Sequence, residues 1–172
     1  MARKKISLRE FQESLVQRLT SARAGQGTRA LLGVQAGRDY WLLDLADSGE
    51  IAPLPPLTSV PLTRPWFCGM ANIRGTLYSV VDFSAFQGGE PTPQNADSRL
   101  LIVGGRFGIN SALLVNRTLG LRNIEQMTPQ AAETDSRPWV GEQYADSQGG
   151  VWKRLKLKNL LGLSDFLEIG LS

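Results

Sequence analysis

Residues 68–83 read Cys68-Gly69-Met70-Ala71-Asn72-Ile73-Arg74-Gly75-Thr76-Leu77-Tyr78-Ser79-Val80-Val81-Asp82-Phe83. Asparagine and glycine around Ile73-Arg74 are turn chemistry, so residues 72–75 predict a tight β connection. Beyond it the run alternates with period two: Leu77, Ser79, Val81 and Phe83 share one face, and Tyr78, Val80 and Asp82 the other. A turn presents its intervening side chains outward, which lets Arg74 project its planar five-donor fork beside Ile73. An arginine next to an apolar residue is the composition of a protein-interface hot spot. The residues alone also allow a plainer role, in which Asn72 and Gly75 only shape the turn while Arg74 is solvated or bonds to Asp82.

Outward from this stretch, β-rich runs over 30–34, 40–45, 77–83, 100–104, 111–115 and 151–157 are separated by glycine and proline. Runs this short predict small barrels or a sandwich and not βαβ units. Pro53, Pro55, Pro56 and Pro61 make a stiff loop that is no central strand. Residues 88–97 predict a mobile surface connection between two halves, and a second polar loop runs from about 128 to 138.

The halves echo each other. Arg29-Ala30-Leu31-Leu32 returns as Arg99-Leu100-Leu101-Ile102, and Pro65-Trp66-Phe67-Cys68-Gly69 as Pro138-Trp139-Val140-Gly141. Val151, Lys153, Leu155 and Leu157 then correspond to the Leu77 face, and Trp152, Arg154 and Lys156 to Tyr78, Val80 and Asp82. The pattern is a degenerate two-fold repeat of one supersecondary unit. Trp66 and Trp139, at matching positions, are expected to pack in two cores.

Composition removes whole classes of chemistry. The 172 residues include no histidine and one cysteine, Cys68. That leaves no Ser-His-Asp or Cys-His pair, no imidazole shuttle, no phosphohistidine and no histidine-bound zinc. A single cysteine forms no internal disulfide and no CxxC pair. Cys68, in an apolar setting, reads as a small core residue. Asp44, Asp47 and Glu50 read as solvated strand-end carboxylates, and residues 104–108 as a glycine-rich hairpin turn without dinucleotide spacing. No cofactor and no metal is expected, and no enzymatic activity.

The formal net charge is +3. Residues 1–23 carry six cations and two anions, so the rest of the chain is nearly neutral. Ser7 and Glu10 have the spacing of a capping box, and Leu8, Phe11, Leu15 and Leu19 fall on one face of the predicted helix, which a glycine-containing hinge ends by residue 27. No apolar run reaches the roughly 18 residues of a membrane helix, and the charged start lacks a signal-peptide core, so a cytoplasmic protein is expected. Arg154, Lys156 and Lys158 read as one side of a strand, protective against edge pairing or, alternatively, a face for single-stranded nucleic acid.

The segment from Gly69 through Asn72-Ile73-Arg74-Gly75 to Val80-Val81-Asp82-Phe83 resembles the signature of CheW-like domains of bacterial chemosensory systems. Leu113-Leu114-Val115-Asn116-Arg117 stands where that family has a V-D-[RK] run, and residues 155–161 where it closes with an L-D-x-x-x-L-L segment. Ser79, Asn116 and Lys156 depart from the family's usual proline and aspartates. The resemblance, over residues 29–165, implies a mainly β fold of two SH3-like five-stranded barrel subdomains around a shared core. The expected layout is a helical arm over 1–27 and a CheW-like domain over 28–172, with barrels near 28–90 and 98–165 that exchange elements, and a short helical segment at the C-terminus.

The same resemblance implies a non-enzymatic adaptor between a methyl-accepting chemoreceptor and a CheA-type histidine kinase, and the long arm and divergent second half look most like adaptors of type IV pilus twitching systems. Partners would be the kinase regulatory domain, the receptor's cytoplasmic hairpin tip and other CheW-like proteins, with no nucleic acid and no membrane insertion, at membrane-associated polar arrays. The implied contact residues are Asn72, Ile73, Arg74 and Gly75, then Val80, Val81 and Asp82, with Leu113, Val115 and Arg117 at the groove between barrels. The rival is a small β-barrel binder of single-stranded nucleic acid, whose affinity would fall steeply with salt.

Overall fold

The computed structural model describes Gln12 and residues 30–103, 108–131 and 135–170. The helix expected over 7–22, Gln12 apart, and most of the glycine-rich turn at 104–108 lie outside the described residues. The strands are β1 (Ala30–Ala36), β2 (Asp39–Leu43), β3 (Ser48–Pro53), β4 (Phe67–Ile73), β5 (Thr76–Asp82), β6 (Arg99–Val103) and β7 (Ser111–Val115). They continue with β8 (Arg117–Asn123), β9 (Thr128–Gln130), β10 (Val140–Ala145) and β11 (Val151–Leu155). Short helices follow β5 (α1, Phe83–Phe86) and β11 (α2, Leu157–Leu161, then α3, Ser164–Leu167).

Two sheets form. One has the order β8-β1-β2-β11-β10-β9 and the other β3-β6-β7-β5-β4. Each sheet therefore draws strands from both halves of the chain. In each, an antiparallel hairpin from one half (β1-β2 or β6-β7) is joined by a parallel strand from the other (β11 on β2, β5 on β7). The equivalence reaches single bonds: Asp82 N–H donates to the Trp66 carbonyl at 2.8 Å, and Lys156 N–H to that of Trp139 at 2.7 Å. Phe67 N–H reaches the Arg64 carbonyl at 3.0 Å, and Val140 N–H that of Arg137 at 3.1 Å. The echo of residues 29–32 in 99–102 is one residue out of step in space. Leu32 and Val34 share their core with Leu101 and Val103, because pointing side chains the same way requires a shift that letter matching conceals.

Three apolar clusters hold the sheets. The shared one lies between them and includes Leu32, Trp41, Leu43, Val81, Phe83, Leu101, Leu113, Leu155, Leu157 and Leu160. The other face of each sheet closes over a smaller cluster, around Val80, Leu100, Ala112 and Leu114 in one and Leu31, Leu42 and Trp152 in the other. Burying each such leucine or valine contributes about 1.5–3 kcal/mol. Trp66 and Trp139 both join the shared core, with Phe86 between them at ring-centroid distances of 5.0 and 5.5 Å. The expectation of two separate tryptophan cores is thereby corrected: the matching positions face each other across one interface.

The segment after β3 lies along β4 through the bridge Thr58–Met70, with N–H to carbonyl distances of 2.8 and 2.9 Å. Gly69, at φ +124°, sits in the bulge facing this bridge, and a Cβ there would run into the Thr58 carbonyl oxygen. We expect Gly69→Ala to destabilise the protein by about 2 kcal/mol or more, read as a lower urea midpoint. Loss of less than about 0.5 kcal/mol would show that the strap moves aside at little cost.

Residues 88–98 are a fastened loop and not the mobile connection expected. Thr92 and Ser98 are buried, and Thr92 is held by Asp82. The predicted strand over 151–157 stops at Leu155, since Lys156 stands at the N-cap of α2 and Lys158 lies within it. Arg154 meets Asp44 at 3.7 Å and Glu142 at 3.9 Å. The three cations thus do not make one strand face, because the chain changes from a two-residue to a helical period at Lys156.

Candidate functional site

The β4-β5 hairpin is closed by a two-residue loop, Arg74-Gly75, between the paired Ile73 and Thr76. Both loop residues have positive φ, 52° and 85°, which matches the twist of the flanking strands. Asn72 Oδ1 accepts from Gly75 N–H at 2.9 Å and fastens the turn. Arg74 is 67% exposed, and its Nη2 pairs with Glu50 Oε2 on β3. Since β3 and β4 are the two ends of their sheet's strand order, this pair spans the seam where the curled sheet meets itself. Of the plainer options for Arg74, bonding to Asp82 is excluded: its partner is Glu50. Ile73 packs partly against the smaller cluster of the same subdomain, and Leu77, opposite Asn72, is exposed.

The other contact candidates divide sharply. Val80, Val81, Leu113 and Val115 are fully or almost fully buried, so in this fold they are core residues and present no surface. The resemblance implied contact roles for them, but β7 and the C-terminal half of β5 are covered on both faces, by the shared core on one and the smaller cluster on the other. Asp82 is 4% exposed. Its Oδ2 accepts from Thr92 N–H at 2.7 Å, and its Oδ1 from Thr92 Oγ1 at 2.6 Å and Ala85 N–H at 3.2 Å. It caps α1 and pins the loop, which replaces the contact role. Arg117 is exposed on β8 and donates to Gln35 Oε1 at 2.8 Å, away from the Arg74 turn. Surface-accessible members of the set are thus Asn72, Ile73, Arg74, Gly75 and Arg117.

Burial, and secondarily the charge of Asp82, pushes the Cys68 thiol up to about 11. The thiol stays protonated near neutrality, in keeping with a packing role.

A second constellation escaped the sequence reading. Arg137 donates to Asp135 through Nε at 2.9 Å and Nη2 at 2.7 Å, and through Nη1 to Gln87 at 2.7 Å and Asp39 at 3.3 Å. Gln87 Oε1 also accepts from Trp139 Nε1 at 3.0 Å, and Lys153 Nζ lies 3.3 Å from Asp39. Arg137, Asp39 and Gln87 line a groove of about 700 Å³ together with Arg38, Glu90 and Asn116. The available signal was the echo itself, which begins one residue earlier than its prolines: Arg64-Pro65-Trp66 matches Arg137-Pro138-Trp139.

The Arg137 hydrogen bond holds the Asp135 carboxyl down at about 2, against an ordinary 3.8. A depressed carboxyl pKa stabilises the fold above the unfolded value, and that contribution is lost as pH falls from about 4 towards about 2. Asp135→Asn should therefore have a lower urea midpoint than the parent at neutral pH, with the gap closing through that window. A gap independent of pH would refute the ionic origin.

With fold and geometry in hand, comparison with known proteins places the molecule. The CheW-like domain model matches residues 30–164, and the chain belongs to that family. It is similar to Protein PilI of Pseudomonas aeruginosa, with 27% identity over 107 residues that make up 59% of this chain and 60% of that protein; the match thus spans less than two thirds of PilI. The crystal structure of scaffolding protein TtCheW from Thermoanaerobacter tengcongensis superposes with a TM-score of 0.64 at 21% identity, covering 76% of this chain and 85% of that one. At this identity the likeness establishes the fold, and mainly β architecture with SH3-like subdomains agrees with it. Among the described residues no helix is long and apolar enough to cross a membrane.

Proposed function

We propose that this protein is a non-enzymatic adaptor that couples a methyl-accepting chemoreceptor to a CheA-type histidine kinase, in a chemosensory system controlling type IV pilus twitching motility. The observation that carries the reading is Arg74: a two-thirds-exposed guanidinium on a rigid hairpin tip, in the family's own Asn-Ile-Arg-Gly motif. Family membership and the similarity to PilI support the signalling context. The absent histidine fits a component that serves a phosphorelay without carrying its phosphoryl group. The contact set is Ile73 and Arg74, with Asn72 and Gly75 shaping their turn and Arg117 on a separate strand.

As an adaptor it holds receptor and kinase in fixed register, so that a small receptor shift changes kinase activity through contacts that differ between two states. Single contacts need only micromolar affinity, about −8 kcal/mol, because an array multiplies them. It would act in the cytoplasm, at membrane-associated receptor clusters. Size-exclusion co-elution with the kinase regulatory domain, and separately with a receptor hairpin-tip fragment, tests the proposal. Co-elution with neither partner at concentrations well above micromolar would reject it.

A further inference from the structure

The internal two-fold provides a template for a site that the proposed function does not use. Arg64 and Trp66 occupy the positions of Arg137 and Trp139, fixed by the same backbone bonds. In the second unit the guanidinium is held by a fork of bonds to Asp135, and the indole N–H by Gln87. In the first, Arg64 has one long side-chain contact, Nε to the Glu168 carbonyl at 3.4 Å, and among the described residues no carboxylate pairs with it. The residue standing where Asp135 stands, two before the arginine, is Leu62. It is 77% exposed, in a left-handed conformation with φ +58°. The internal carboxylate has thus been replaced by an apolar side chain turned to solvent.

Arg64 borders a hollow of about 350 Å³ walled by Trp66, Phe86, Trp139 and Leu163. Asp165, in the first turn of α3, is the one acid among the residues that line it. We propose that this hollow docks an acidic side chain of a partner protein. The partner carboxylate would take the place on Arg64 that Asp135 takes on Arg137, with an apolar neighbour against Leu62 and the aromatic wall. A guanidinium fork takes a carboxylate through two parallel N–H···O bonds, and the aromatic side chains beside it leave room for the carboxylate's apolar neighbour.

The probe is the peptide acetyl-Ala-Leu-Glu-Leu-Ala-amide titrated into the full chain, followed by the Arg64 Nε–H and Trp66 indole N–H resonances. Both should shift with a Kd of about 1 mM, the glutamine analogue should bind about ten-fold or more weaker, and in Arg64→Gln the Trp66 indole shift should be abolished. Arg64→Lys, which keeps the charge without the fork, should strongly weaken the peptide's effect on the Trp66 indole and serves if the glutamine variant misfolds. Leu62→Asp restores the carboxylate of the second unit, and should block the peptide while leaving the fold intact. Arg74→Asp should change nothing here, which separates this site from the adaptor contact.

Equal shifts with the glutamine peptide, insensitivity to Arg64→Gln and Arg64→Lys, or no shift up to about 10 mM would each overturn the proposal. So would movement of the Arg64 signal in peptide-free Glu10→Gln or Glu13→Gln, since the occupant would then be the chain's own N-terminal segment.

Discussion

Asp82→Ala is expected to destabilise the protein by about 3 kcal/mol without changing its sheet content. The carboxylate accepts three hydrogen bonds at 2.6–3.2 Å from a site that is 4% exposed. Removing it strands the buried Thr92 N–H and hydroxyl, at a cost of about 1–3 kcal/mol per uncompensated group, and takes away the cap of α1. Thr92→Val should cost less, because Asp82 keeps the backbone N–H of residue 92 and the α1 cap. The double variant should lose less than the sum of the two, since both remove the same bond. Urea midpoints measure all three, and amide exchange should accelerate across residues 88–98 in Asp82→Ala. A loss below about 1 kcal/mol would mean that water replaces the carboxylate, and the loop would then owe its order to Ser98 alone.

The second large effect is on binding and not on folding. Arg74→Asp should weaken co-elution with the kinase domain or the receptor tip at least ten-fold, about 1.4 kcal/mol. Circular dichroism should be unchanged, because the residue is exposed on a turn whose geometry comes from Asn72 and Gly75. The substitution also sets two acids face to face across the subdomain seam, where Glu50 now pairs with Arg74. An exposed pair of this kind contributes at most about 1 kcal/mol, so the stability loss should be small. Adding Glu50→Lys restores an opposite-charge pair with reversed polarity. If the double variant regains stability and still fails to bind, the guanidinium acts on the partner and not merely on the seam. Recovery of binding would reduce Arg74 to a structural clamp, and unchanged binding in Arg74→Asp alone would remove it from the site.

Much of this molecule can be read from local chemistry. Asn72 to Gly75 announced a tight hairpin because glycine takes a left-handed position without strain and an asparagine side chain can fasten the turn from within. The alternation beyond it placed Val81, Phe83, Leu155 and Leu157 on one face, and all four enter the shared core. The matched Pro-Trp segments pointed to an internal repeat, which the structure reproduces down to equivalent backbone bonds. The candidate contacts were less legible. Val80, Leu113 and Val115 entered as contacts implied by the resemblance, and neither it nor the alternation says what covers each face of a strand. Asp82 reads as a contact residue or a partner of Arg74, because two of its three donors belong to Thr92, ten residues on, in a loop whose own sequence suggests only polarity.

The sequence alone therefore determined the quantities that neighbouring residues set between themselves: turn type, strand period, family signature and the absence of imidazole chemistry. Only the tertiary structure decided what depends on partners far along the chain. It decided that each sheet is assembled from both halves, and that both faces of β7 and of the C-terminal half of β5 are buried. It also decided that of two arginines in identical Arg-Pro-Trp settings one is saturated and the other is not. The physical reason is that pairing and burial are set by long-range packing, in which a single replacement at the place of Asp135, Leu62, changes what its arginine has left to bind.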